Sequence, residues 1–247
     1  MSSVPAGRQC VRRQLFVRQS DPTLPLPPEE TDVVTHHDSS VHPTRQTEPH
    51  THYINPIPGT ELLAAVDLGL DCIFVYNSRL QPVSELRLPG GCGPRHLAWS
   101  EDGSLAFCAC ELSSEVMVLS RCGEKLHLLS RCSSLPAGVS PEEYDNTASA
   151  IRCHGDLVAV SNRGHDSVSF FRADSAGTLT WLGNVSAGGK SPRDFDIFGP
   201  YLVCTNEKSD SVTIQKLTQS DAEICAVLTD EIRDIPAPLC VTAVPVL

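Results

Sequence analysis

One arrangement recurs four times along this chain, and the recurrence limits the fold more than any other feature. Residues 95–119 read RHLAWSEDGSLAFCACELSSEVMVL: a strand, a Ser-Glu-Asp-Gly turn, an alternating strand, a polar corner and a third strand. Residues 52–76 (HYINPIPGTELLAAVDLGLDCIFVY), 149–171 (SAIRCHGDLVAVSNRGHDSVSFF) and 193–217 (RDFDIFGPYLVCTNEKSDSVTIQKL) repeat that order. Corners start at Asp67, Cys110, Asn162 and Asn206, so the spacings are 43, 52 and 44 residues. An Asp-Gly turn between alternating apolar runs marks a β-hairpin. A period of about 40–50 residues with several short strands per unit is that of a β-propeller blade. An α-solenoid of similar period would need apolar residues at helical spacing, and these runs alternate at period two. The expected fold class is all-β, a β-propeller of about four blades plus one further strand.

The units fall at about 50–88, 93–134, 148–187 and 191–234, and the polar stretch LPAGVSPEEYDNT (135–147) widens the second spacing. The terminal PAPLCVTAVPVL begins like a fifth unit. Residues 21–32 (DPTLPLPPEETD) carry four prolines and four acids, too little apolar surface to pack. The expected division is a disordered, proline-rich arm over 1–41 and propeller over 42–247.

A net charge of −11 argues against nucleic acid or an anionic membrane as partner, although converging arginines can still hold a small anion. No apolar run approaches the ~20 residues of a membrane span. The basic, acid-free first twenty residues faintly suggest a transit peptide and lack the apolar core of a secretory signal; a cytoplasmic location is expected. Eleven cysteines without any Cys-x-x-Cys pair read as buried free thiols of a reducing compartment. Five of the nine histidines lie between His36 and His52, with no Cys or carboxylate at ligand spacing, so no metal is expected.

The innermost strand of each blade lines the central channel. Equivalent slots at the start of these strands hold His52, Arg95, Ser149 and Arg193, and the second corner position holds Leu68, Glu111, Arg163 and Glu207. Taken singly, such residues are ordinary struts between blades. Taken together, His52, Arg95, Glu111, Arg163 and Arg193 converge on one mouth, and clustered cations at an axis are costly unless an anion neutralises them.

GPRHLAWSEDG, ELSSEV, SNRGHDSVSFF, GGKSPRDF, TNEKSDSV, RQTEPHTH and PAPLCV resemble, in unbroken order, the lactonase family of seven-bladed propellers. That family includes the bacterial type of 6-phosphogluconolactonase and the fungal carboxy-muconate cyclase. The resemblance implies catalytic roles for His52, Glu111, Arg95 and Arg163, substrate contacts at Arg193, His50, His96 and Asn162, and neither cofactor nor metal. It implies a small anionic sugar lactone as substrate: 6-phosphogluconolactone, opened to 6-phosphogluconate in the pentose phosphate pathway. The alternatives are a lactone-forming enzyme of the carboxy-muconate type, acting on another small acid, and a non-catalytic fragment serving as a binding module. Four blades instead of seven imply an N-terminal truncation, or an open arc whose edges permit self-association. For hydrolysis, Glu111 or His52 would activate water, one arginine would stabilise the oxyanion and another would grip the substrate's anionic group.

Overall fold

The structure is a computed structural model that describes residues 15–18, 30–220 and 223–243. Two strands, β1 (Leu15–Arg18) and β2 (Glu30–Val34), pair antiparallel ahead of the repeats. The first blade is β3 (Thr51–Pro56), β4 (Leu63–Asp67), β5 (Cys72–Tyr76) and β6 (Pro82–Arg87). The second is β7 (Pro94–Trp99), β8 (Leu105–Cys110), β9 (Glu115–Cys122) and β10 (Lys125–Ser133). The third is β11 (Thr147–His154), β12 (Leu157–Arg163), β13 (Ser167–Ala173) and β14 (Leu179–Ser186). The fourth is β15 (Pro192–Phe198), β16 (Tyr201–Asn206), β17 (Ser211–Gln219) and β18 (Ile224–Arg233). Each is a four-stranded antiparallel meander, and no α-helix occurs among the described residues.

The apolar runs are explained by where each strand sits. The second strand of a blade is covered on both faces, which is why LAFCAC in β8 is buried at every position. The fourth strand lies outermost, and β10 is exposed at most positions. Neighbouring sheets clamp separate cores between their faces. Ile73, Leu97, Met117 and Leu119 fill the first interface. Phe107, Val116, Ile151 and Phe171 fill the second, and Phe170, Leu182, Phe195 and Leu202 the third. Packing runs in chain order, with β3 on β7, β7 on β11 and β11 on β15, so the four innermost strands stand side by side.

The corners hold the blades in register. Asp71, Asp166 and Asp210 adopt left-handed φ of 50°, 56° and 49°, and Ser114 takes the same conformation in the second blade. A short polar side chain tolerates this region and can accept nearby backbone donors. Asp71 Oδ1 accepts the Gly93 N–H at 2.7 Å, Asp166 Oδ1 that of Ser191 at 2.7 Å, and Asp210 Oδ1 that of Ala237 at 2.8 Å. Asp71 and Asp166 therefore fix the loops that enter the next inner strands, and Asp210 holds the segment that leaves the fourth blade. In the second blade, the Ser114 hydroxyl instead donates to the Asn146 carbonyl and accepts from the Asn146 amide.

Residues 234–243 depart from the expected extra strand. Ala237 sits where Gly93 and Ser191 sit, and the Val241 N–H donates to Asp194 Oδ2 at 3.1 Å, but the segment joins no ladder. Residues 1–14 and 19–29, most of the expected disordered arm, lie outside the described residues. Contacts with the first blade begin before residue 42. Val34 packs against the cluster of Ala65, Tyr76 and Leu80, His36 bonds Asp67 Oδ2 at 2.6 Å and the Tyr76 hydroxyl at 2.8 Å, and its ring lies 4.1 Å from that of Phe74. The ten described cysteines are all free thiols.

Candidate active site

Backbone bonds align the corners with the inner strands and so build the site. The Glu111 N–H donates to the Gly93 carbonyl, the Glu207 N–H to Ser191 and the Leu68 N–H to His50. These three bonds place the second corner residue beside the start of its own inner strand, as the slot counting expected. Arg95 consequently meets Glu111 within the second blade, and Arg193 meets Glu207 within the fourth.

Glu111 is the hub. Its carboxylate is buried, and Oε2 accepts from Arg95 Nε at 3.0 Å and from Arg163 Nη2, across the blade boundary, at 2.8 Å. Oε1 accepts from Arg45 Nη2. Burial pushes the Glu111 carboxyl up, but the Arg163 charge, the Arg45 hydrogen bond and the Arg95 charge outweigh it and leave the group at about 2. Burial and the neighbouring Arg163 charge push Arg95 down to about 9, against the attraction of Glu111. One carboxylate thus faces three guanidiniums. Arg193 stands near enough to add to the load on Arg95 and, among the described residues, has only Glu207, at 3.4 Å, as its own ion-pair partner.

A ladder of rings flanks this cluster. His50 and His52 lie 5.8 Å apart, His52 and His96 5.2 Å, and Tyr53 stacks on His96 at 4.4 Å. Arg95 Nη1 reaches His96 Nε2 at 3.1 Å, which links the ladder to the arginines. Burial, then the Arg95 charge, holds His96 well below the usual imidazole range, so the ring is neutral at physiological pH. His96 Nδ1 and Arg163 Nε are buried without a hydrogen-bond partner among the described residues. Two unsatisfied polar atoms in one site are a costly arrangement in a packed protein.

The structure thus brings His52, Arg95, His96, Glu111 and Arg163 together with Arg193 at the margin, and His50 continues the histidine ladder. Asn162 does not join them. It is fully buried, its Nδ2 donates to the Ser134 carbonyl at 3.0 Å and to Ser169 Oγ at 3.1 Å, and its Oδ1 accepts from Ser134 Oγ at 2.7 Å. Asn146 Nδ2 donates to the same Oδ1 at 3.5 Å, so both polar atoms are engaged, and Asn162 ties the exit of the second blade to the third with nothing left for a substrate. Arg45 is the residue that slot counting missed, because it lies ahead of the repeats. Its signal was its place at the head of RQTEPHTH. The segment is pinned by the buried Gln46, whose Nε2 donates to the Leu68 carbonyl at 2.8 Å. Beside Arg45 a cleft of about 250 Å³ opens, lined by His42, Leu112, Glu142, Asp145, Asn146 and Thr147 among others.

Residues 23–243 match the family described as Lactonase, 7-bladed beta-propeller. The chain belongs to this lactonase family. Among its relatives, the 6-phosphogluconolactonase of Bacillus subtilis is 30% identical over 237 residues, covering 92% of this chain and 65% of the relative. A crystal structure from Lactobacillus plantarum is similar at 31% identity with a TM-score of 0.78, covering 87% of this chain and 64% of that one. The periplasmic gluconolactonase of Pseudomonas aeruginosa is similar at 29% identity with a TM-score of 0.75, covering 84% and 60%. The chain therefore spans less than two thirds of the length of these relatives.

Proposed function

We propose that this chain binds a small anionic sugar lactone at the Glu111 cluster and opens it, with 6-phosphogluconolactone as substrate and 6-phosphogluconate as product, a step of the pentose phosphate pathway. The observation that carries this reading is the charge imbalance at a buried point: three guanidiniums on one carboxylate. An anion completes such a cluster, and planar guanidinium forks bind carboxylate and phosphate bidentately. The similarity to a 6-phosphogluconolactonase supports the choice of substrate.

In the proposed reaction the lactone carbonyl points at Arg95 and Arg163. Both are positioned before the substrate arrives, so they stabilise the charge that forms on the carbonyl oxygen without reorganising. Water attacks the carbonyl carbon, the tetrahedral intermediate collapses, and the ring oxygen leaves as the sugar hydroxyl. A general base works best with a pKa near the operating pH. Glu111, held at about 2 by its arginines, is a weak base while all three remain in place. His52, next to the neutral His96, is the base in this reading. Glu111 then serves as the counter-charge that keeps the arginines apart and aimed.

The saturated state of Glu111 also favours a second reading, a module that binds sugar acids without turning them over. Hydrolysis of 6-phosphogluconolactone by purified chain, corrected for the spontaneous rate, separates the two. Turnover that is lost in His52→Ala supports the enzyme. Thermal stabilisation by 6-phosphogluconate with no turnover leaves the module, and neither response to millimolar ligand overturns both.

A further inference from the structure

Arg45 differs from the other arginines of the cluster in two respects. It belongs to no blade, being carried on a segment anchored to the first corner through Gln46. Its side chain is 42% exposed, against 3% for Arg95 and 15% for Arg163. The buried pair holds Glu111 Oε2 and the exposed arginine holds Oε1. The cluster is thus polarised, with a dry end formed by Arg95 and Arg163 and a wet end formed by Arg45 at the lip of the neighbouring cleft. A lactone that carries a phosphate on its far end has matching polarity, a carbonyl for the dry end and a dianion for the wet end.

Resting on the sugar-lactone reading above, we propose that Arg45 is the specificity-determining residue that grips the distal phosphate and makes the site prefer phosphorylated over unphosphorylated sugar acids. Arg45 gives up one part-buried contact with Glu111 and gains a bidentate fork on the phosphate, while Arg95 and Arg163 continue to balance Glu111. Arg193 pairs with Glu207 on the fourth blade and does not line this cleft. Among the described residues, Arg45 is the one guanidinium lining this cleft and must hold the dianion against the acidic Glu142 and Asp145.

The test is calorimetric titration of the full chain, wild type, Arg45→Gln and Arg45→Lys, with 6-phosphogluconate and with gluconate. These products avoid the spontaneous hydrolysis of the lactones. Wild type should prefer 6-phosphogluconate, and Arg45→Gln should reduce that preference about tenfold or more, the worth of one charge-assisted fork. Arg45→Lys, which keeps charge but loses the fork, should fall between. A preference unchanged in Arg45→Gln overturns the assignment, as does a wild type that binds both products equally. Thermal unfolding of each variant checks the fold, and Arg45→Lys reads the same ratio should Arg45→Gln unfold. Lost preference without any lactone turnover leaves Arg45 in place and removes only the hydrolytic reading. Turnover with an unaltered preference removes only the role of Arg45.

Discussion

Glu111 is a structural strut, and in the proposed reaction it is also the counter-charge of the site. It joins the second blade to the third through Arg163 and to the leading segment through Arg45. Removing one partner of a buried ion pair costs about 3–5 kcal/mol, because the others keep their charge without compensation. Glu111→Gln is therefore expected to lower the melting temperature sharply in chloride and less in phosphate, which supplies the missing anion; equal losses in both salts would count against an anion site. The pH dependence has a definite sign. A carboxyl lowered from 4.5 to about 2 contributes stability that is complete above about 4.5 and lost as pH falls toward 2. Urea titrations at pH 6 and pH 3 should show a smaller acid loss in Glu111→Gln than in wild type.

Between residues and blades, the corner is the element that repeats most faithfully. Asp166 accepts the Ser191 N–H and thereby sets the loop that aims Arg193. Asp166→Ala leaves that N–H without its acceptor and should cost about 1–3 kcal/mol in chemical denaturation. The loop position itself is left-handed in three units, at Gly93 (φ 62°), Ser191 (φ 59°) and Ala237 (φ 40°). Only the second unit places glycine there. Ser191→Gly should stabilise by up to about 1 kcal/mol, since glycine reaches this conformation without the steric penalty of a Cβ. Gly93→Ala should destabilise, because its Cβ would come within 2.5 Å of Leu112 Cγ. A Ser191→Gly variant no more stable than wild type would show that the loop does not constrain this residue.

At the scale of the whole molecule, stability resides in the interfaces between blades. Phe195 is fully buried in the core shared by the third and fourth blades, and its ring stands 5.7 Å from the Arg152 guanidinium, which also bonds Asp194 at 2.6 Å. Phe195→Ala should cost about 3–5 kcal/mol through the cavity it leaves. Hydrogen exchange should then quicken in β15–β18 more than in β3–β6, because packing passes from blade to neighbouring blade and not across the fold. Uniform quickening along the chain would instead indicate one indivisible cooperative unit.

The period, the alternation and the Asp-Gly turn determined the blades from sequence alone, because each depends on local chain geometry repeated at fixed spacing. Counting within that repeat also located His52, Arg95, Glu111, Arg163 and Arg193, since equivalent positions in a propeller face one axis. Only the tertiary structure decided what each residue touches. Asn162 occupies a corner slot like the others, yet Ser134 and Ser169 consume its hydrogen bonds, and no spacing rule reveals how many partners a buried amide will find. Arg45 stands 66 positions from Glu111 and outside every repeat, so its contact arises from the path of a non-repeating segment across the first corner. The same holds for the basicity of Glu111. Its residue type suggested a base, but three guanidiniums gathered from separate parts of the chain hold it ionised far below the pH at which a base would work.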